Sequence, residues 1–229
     1  MDYKDGEYLQ NNPTLHEEDA SWKAYQVLSI LGKHELAPTT ICEVGCGSGA
    51  VLENIAKSLD NVELYGYDIA NYRKYWGKRN VNINFFQKDI TKYDCHYDLL
   101  LVLDVVEHVE DYMGFLRCIK DKGALHIFNF PLEIFAFKAL FPRKYLESRK
   151  KYGHIHYFNR MTAMATLMDC GYEIIDYTLA PAAIDLAQVT TSISRSSRMM
   201  TLPRKLLSIV SKEFTADVLG GYSLFVLAR

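Results

Sequence analysis

Hydrophobic residues along this chain change their spacing repeatedly, and the changes mark its elements. Between His16 and Lys33, Trp22, Tyr25, Leu28 and Leu31 recur at helical spacing, and Gly32 and Pro38 bracket the end. A short strand over 41–44 leads into a run of glycines and a helix through Ser58. Further strands are predicted at 62–67, 83–87, 97–103, 124–128, 172–178 and 223–228, and helices at 72–78, 112–119 and 162–170. A strand such as Leu99-Leu100-Leu101-Val102-Leu103 has no polar side to offer water. The alternation therefore predicts an α/β fold: a doubly wound, mostly parallel sheet with helices on both faces. The closing GGYSLFVLAR, a strand after a glycine pair, suits an antiparallel edge strand.

Both ends of the pattern belong to one sheet, so residues 1–229 read as a single domain, with 1–33 as a polar leader and helix. Two segments break the alternation. Residues 130–160 are rich in aromatics and cations, and 180–220 separate the last two strands. Insertions at the carboxyl edge of such a sheet shape ligand sites, so both are expected to form a lid over an acceptor site. Within the aromatic run Phe128, Phe130, Phe135, Phe137 and Phe141, the helical spacing of Ile134, Phe137 and Phe141 predicts packing into the core, with part of that face lining the pocket.

Composition narrows the function. A net charge of −2 with no basic block disfavours nucleic acid as a partner. The one basic cluster, Arg143, Lys144, Arg149, Lys150 and Lys151, reads as a solvated face. Five cysteines, an odd number with no CxxC pair, point to a reduced, cytoplasmic setting. The polar opening MDYKDGEYLQ is not a signal peptide. The longest apolar run, near 99–106, is far short of the roughly 20 residues that span a bilayer, so no membrane span is expected.

The strongest chemical signal is EVGCGSGA, Glu43 to Ala50, between a strand and a helix. Gly45, Gly47 and Gly49 let the backbone approach a ligand closely, and the following helix directs its free N–H groups there. Gly45, Gly47 and Ala50 also satisfy the dinucleotide pattern, and Asp68 closes the second strand where a carboxylate holds ribose hydroxyls in either cofactor class. Glu43 tips the balance. A carboxylate inside a buried strand needs a cation or donors, which a methionyl ammonium supplies and a pyrophosphate does not. Asp89, in QKDI after the third strand, is placed to accept from an adenine amino group.

Together these motifs resemble the class I S-adenosylmethionine-dependent methyltransferases, in the subgroup near the ubiquinone-biosynthesis O-methyltransferases. EVGCGSG is similar to the family's first motif, KDI to its adenine motif, and YDLLLVLDVVEHVED to its fourth-strand motif. GHIHYFNR followed by CGYEIID is similar to the segment entering the sixth strand. The resemblance implies a Rossmann-like seven-stranded sheet of order 3-2-1-4-5-7-6. It implies S-adenosylmethionine as cofactor, S-adenosylhomocysteine as product, and methyl transfer to a small-molecule acceptor, with O-methylation expected. It places Gly45, Cys46 and Gly47 at the methionine, Asp68 and Ile69 at the ribose and adenine edge, Asp89 and Ile90 at the adenine, and Leu103 and Asp104 under the sulfonium.

A hydroxyl acceptor must lose a proton, and His108, His154 and His156 are the candidate bases. His108 is first choice because its position follows the fourth-strand motif, while His154 and His156, flanking Ile155, are expected to face site and solvent separately. Asp104, Glu107 and His108 form D-x-x-E-H, where some ubiquinone-pathway relatives hold a divalent ion with E-x-x-E-H. The shorter Asp argues for no metal here. Two other readings remain open at this stage: a nicotinamide-dependent oxidoreductase using the same glycine loop, and a non-catalytic subunit that binds S-adenosylmethionine. Neither the acceptor nor the oligomeric state is encoded in a readable way.

Overall fold

The computed structural model describes residue 12 and residues 14–79, 81–186 and 199–229. Seven strands make one sheet: β1 (Thr40–Val44), β2 (Glu63–Asp68), β3 (Ile83–Gln87), β4 (Tyr97–Leu103), β5 (Gly123–Pro131), β6 (Ile174–Ala180) and β7 (Ser223–Ala228). Their order is β3-β2-β1-β4-β5-β7-β6. β1 to β5 run parallel, and β7 pairs antiparallel with both β5 and β6.

The central strands are apolar throughout because each of their faces is covered. Leu99, Leu101 and Leu103 of β4 pack with Val27, Ile30 and Leu31 of α1 (Glu17–Lys33) and Leu52 and Ile55 of α2 (Ala50–Ala56). Leu100 and Val102, pointing the opposite way, pack with Leu116 and Ile119 of α4 (Tyr112–Ile119). This period-2 division of one apolar run is the signature of a doubly wound sheet. Between these helices comes the single turn α3 (Arg73–Trp76), shorter than the predicted 72–78.

The edge-strand expectation for the last segment is corrected. β7 lies inside the sheet between β5 and β6, and all six of its residues are buried. β6 holds the edge instead.

The two insertions are helical. Residues 130–160 carry the end of β5, then α5 (Ala136–Ala139) and α6 (Arg143–Tyr152), before α7 (Arg160–Asp169) returns to the sheet. The predicted core packing of Ile134, Phe137 and Phe141 does not occur: they are 37%, 36% and 46% exposed, whereas Phe128 and Phe130, on β5, are fully buried. The helix that the spacing implied lasts one turn, because Pro142 follows and the chain restarts as α6. The second insertion supplies α8 (Ala182–Asp185), α9 (Thr201–Val210) and α10 (Lys212–Leu219); its stretch 187–198, like the leader residues 1–11, lies outside the described residues.

Candidate active site

At the carboxyl edge of the sheet, the chain leaves β1, β2, β4 and β5 in loops that face one cavity of about 890 Å³. Its wall takes residues from the leader (Asn12, Thr14, Leu15 and His16), from α1, from the glycine loop, from the ends of β2 and β4, and from the end of α6. The first insertion contributes Pro131, Lys151, Tyr152 and His154 to this wall, and the second Ala182 and Leu186.

The glycine loop sits where β1 stops. Gly45 and Cys46 both donate their N–H to the Tyr67 carbonyl, at 2.8 and 3.1 Å, which folds the loop back over β2. Gly49 has φ of +79° and lies against the Phe85 ring, where a Cβ would come within 2.4 Å of Cζ. Gly47, with φ of +51°, has nothing within 4 Å of its missing Cβ. Its bare side faces the cavity, and its N–H donates to Asp68 Oδ2 at 2.9 Å while its carbonyl accepts from Trp76 Nε1 at 2.8 Å. Asp68 Oδ1 accepts from the Ala70 N–H at 2.8 Å. Both carboxylate oxygens are thus fixed by backbone donors, each retaining a lone pair for a ligand. Burial holds its pKa above the ordinary value despite those bonds.

Glu43 is 4% exposed, lines the cavity, and its Oε2 has no partner among the described residues. Burial pushes its pKa up to about 8, against the pull of Lys23. Lys23, from α1, is spent elsewhere. Its ammonium meets Asp104 Oδ2 at 2.7 Å, and although burial works to lower its pKa, Asp104 outweighs that and raises it to about 12. Asp104 itself sits just past β4 at φ of +54°, with Oδ1 accepting from Asn129 Nδ2 at 2.6 Å. An aspartate tolerates this left-handed conformation better than most residues, and here two partners fix it.

Of the residues assigned by motif, Glu43, Gly45, Cys46, Gly47, Asp68, Ile69, Leu103 and Asp104 line the cavity. Gly49, Asp89 and Ile90 are not in its wall. Ile90 is buried, and Asp89 Oδ1 is taken by the N–H and hydroxyl of Thr91, capping the single turn Ile90–Lys92.

The three histidines separate cleanly. His108 and His154 line the cavity with rings 4.9 Å apart, while His156 is turned away, with Nε2 3.2 Å from the Glu110 carbonyl. His108 has Nδ1 3.3 Å from the Gly153 carbonyl, and burial, reinforced by His154, lowers its pKa to about 4. His154 is built differently. Its Nδ1 lies 2.7 Å from Glu133 Oε2, whose other oxygen accepts from Lys138 Nζ at 2.6 Å and from Ser148 Oγ at 2.7 Å. Burial would lower the His154 pKa, but the Glu133 hydrogen bond and the Glu107 charge raise it.

Asp104, Glu107 and His108 of the D-x-x-E-H motif do not converge among the described residues. Asp104 is tied to Lys23 and Asn129, and the groups that converge are Glu107, His108 and His154, with ligand atoms within 4.8 Å of one another. Glu107 is 1% exposed and neither of its carboxylate oxygens has a partner among the described residues. These three fit a divalent cation in donor type, and Glu133 stands behind His154 as the outer carboxylate such a ligand usually has. Sequence reasoning missed Glu133, Lys138 and Lys23. None carried a signal. The predicted stripe of Trp22, Tyr25, Leu28 and Leu31 puts Lys23 on the opposite face, whereas the helix buries Ala20, Ala24, Val27, Ile30 and Leu31 and leaves Tyr25 65% exposed.

Residues 17–177 match the family model described as a methyltransferase domain. The chain belongs to that family. Its sheet order and helices are the class I S-adenosylmethionine-dependent methyltransferase fold. Among curated proteins, a ubiquinone biosynthesis O-methyltransferase of Rickettsia bellii is 28% identical over 130 residues, covering 52% of this chain and 52% of that protein. Another from Rickettsia conorii is 30% identical over 112 residues, 44% of this chain and 39% of that one. The chain matches about half the length, or less, of these curated relatives. Magnesium protoporphyrin IX methyltransferase from Synechocystis PCC 6803, solved with bound S-adenosylhomocysteine, superposes with a TM-score of 0.58 at 16% identity, covering 91% of this chain and 82% of that one. N-methyltransferase NodS from Bradyrhizobium japonicum WM9, with the same ligand, gives 0.58 at 15% identity and 98% of both chains. Membership of this family sets aside the nicotinamide oxidoreductase. No helix among the described residues is long and apolar enough to cross a membrane.

Proposed function

We propose that this chain transfers the S-methyl group of S-adenosylmethionine to a hydroxyl of a small acceptor, leaving S-adenosylhomocysteine, with His154 as the base. The observation that carries the reading is a single cavity wall joining the glycine loop and Asp68 to a histidine held by a buried carboxylate. S-adenosylmethionine supplies a methyl group that is already activated, so the protein's main contribution is orientation, for which effective molarities of about 10⁵–10⁸ M are known. Gly47 leaves room for the methionine end, Asp68 offers lone pairs to the ribose, and Glu43 receives the ammonium. Glu133 fixes the His154 ring through Nδ1 and leaves Nε2 for the acceptor. His154 takes the hydroxyl proton there as the acceptor oxygen bonds to the methyl carbon and the carbon–sulfur bond breaks. Its raised pKa suits a base working near neutrality. His108, the first choice on sequence, is a weaker base in its buried setting.

A second reading is favoured by the convergence of Glu107, His108 and His154. These three would hold a divalent cation, which would polarise the acceptor hydroxyl. The two readings use His154 differently, and chelation separates them.

The test is an acceptor screen with the purified chain, followed by His154→Ala on the acceptor found. Turnover should fall about 10²- to 10⁴-fold while S-adenosylmethionine affinity, read by calorimetry, stays close to that of the unmodified chain. Normal turnover in the variant would remove His154 from the chemistry. A chain that binds S-adenosylmethionine and methylates nothing in a broad screen would favour the non-catalytic subunit.

A further inference from the structure

α9 is amphipathic in the opposite sense to a helix resting on a water-soluble fold. Its buried residue is Arg204, which donates to the Leu219 carbonyl from Nε at 3.3 Å and Nη2 at 3.0 Å. Its outward residues are Leu202, Leu206, Ile209 and Val210, on one helical face and 65%, 60%, 81% and 83% exposed. α10 packs against both α9 and α5, and Phe214 on α10 and Leu140 and Phe141 after α5 are exposed as well. Folded domains rarely leave such an apolar face in water without a partner for it.

Charge selects the partner. Lys205 flanks the apolar face of α9, and Lys212 begins α10. α6, next in the chain to α5, carries Arg143, Lys144, Arg149, Lys150 and Lys151 against one acid, Glu147, in a protein whose net charge is −2. Lys144 Nζ lies 5.7 Å from the centroids of both Phe137 and Phe141. Apolar anchors ringed by long cationic side chains match anionic headgroups lying over acyl chains, because the stems follow the anchors inward while the charged ends stay at the phosphate level. A second copy of the chain would instead bring these cations against their own kind.

We propose that α9, α10 and the α5–α6 segment form a docking face for an anionic lipid surface. The apolar anchors of this face line no part of the glycine-loop cavity, which takes Lys151 and Tyr152 from the end of α6, and the inference does not rest on the methyl-transfer reading. It also absorbs the basic cluster that sequence alone read as a solvated face.

The experiment is vesicle sedimentation of the whole chain, with phosphatidylcholine alone and with equal parts phosphatidylcholine and phosphatidylglycerol. Binding should be at least tenfold stronger to the anionic vesicles and should weaken as salt is raised. The double substitution Leu206→Glu and Ile209→Glu should reduce it at least tenfold, with melting temperature and S-adenosylmethionine affinity unchanged. Should that variant not fold, Arg143→Glu with Lys150→Glu, both at exposed positions, tests the same face. Absence of binding to anionic vesicles, equal binding to both vesicle types, or full binding by the folded variants would overturn the proposal. So would a wild-type dimer in light scattering that Leu206→Glu and Ile209→Glu make monomeric, which would give the face to a second copy. Because S-adenosylmethionine binding is read separately, failure of the lipid proposal leaves the catalytic reading untouched.

Discussion

Replacing Glu133 with glutamine tests whether one buried carboxylate organises the acceptor wall. In the wild type this side chain is 17% exposed and accepts from Lys138, Ser148 and His154, so it ties β5, α5, α6 and the histidine loop together. Burial works to raise its pKa, but the His154 hydrogen bond and charge, then Lys138, outweigh that and take it from an ordinary 4.5 to about 2. At 1.36 kcal/mol per pKa unit, the charged form stabilises the fold by about 3 kcal/mol. Because the folded pKa lies below the unfolded one, that contribution is complete above about pH 4.5 and is lost as pH falls toward 2. Glu133→Gln removes it at every pH and strands the Lys138 ammonium, 6% exposed, among neutral groups and the Tyr145 and Tyr157 rings. Breaking a buried pair by removing one partner typically costs about 3–5 kcal/mol, in line with the first figure. Urea denaturation at pH 7 should show a loss of that size, and Glu133→Gln with Lys138→Met should recover much of it. A loss under about 1 kcal/mol for the single variant, well below either figure, or no recovery in the double one, would refute the reasoning.

Asp68→Ala should weaken S-adenosylmethionine binding about 10- to 200-fold, since charge-assisted hydrogen bonds are worth about 1.5–3 kcal/mol each; a loss under about threefold, below that range, would put the ribose elsewhere. Gly47→Ala should fold, with a strain of about 1–2 kcal/mol from its left-handed backbone, yet lose most cofactor affinity because its new methyl enters the cavity; calorimetry showing normal affinity would contradict this. Activity should survive exhaustive chelation, and restoration by magnesium after EDTA would instead give Glu107, His108 and His154 to a metal. His126, 1% exposed and lowered by burial to about 4, must stay neutral in the fold. Its folded pKa is below its unfolded one, so stability should fall between pH 6.5 and 4, and His126→Phe should flatten that slope in pH-dependent denaturation.

Where a residue's fate depends on its near neighbours, the sequence was readable. The bounds of β3, β4, β7 and α4 agree with expectation to the residue. Asp111 caps α4 by accepting from the Gly114 N–H at 2.9 Å, a signal written three positions away. The glycine loop and Asp68 were readable for the same reason: strand, turn and helix are consecutive. Glu133 was not, because its partners lie 5, 15 and 21 residues further on, in a segment whose fold no local period announces. α6 has no apolar stripe to find, and α9 turns its stripe outward, so periodicity alone could not place either against the sheet. Adjacency in D-x-x-E-H said nothing of Lys23, which arrives from α1 and takes the first carboxylate.

Charge inside the cavity gives a physical reason why this glycine loop should serve a cationic cofactor. Lys23 is the cation buried in the wall, and Asp104 already holds it at 2.7 Å. Glu43 and Glu107 are left as buried carboxyl groups with unpartnered oxygens, one beside the glycine loop and one beside the histidines. Burial raises the pKa of each, which means that the protein interior disfavours their charges. A pyrophosphate brought beside Glu43 would add negative charge where the buried cation of the described wall, Lys23, is already committed to Asp104, and would raise those pKa values further. An ammonium and a sulfonium do the opposite. They let Glu43 ionise in a place where solvent no longer can, so the cost of burying that carboxylate becomes binding energy for one charge type only. A glycine loop by itself accepts either ligand class; a buried glutamate two residues before it, with the nearest lysine already committed, selects between them.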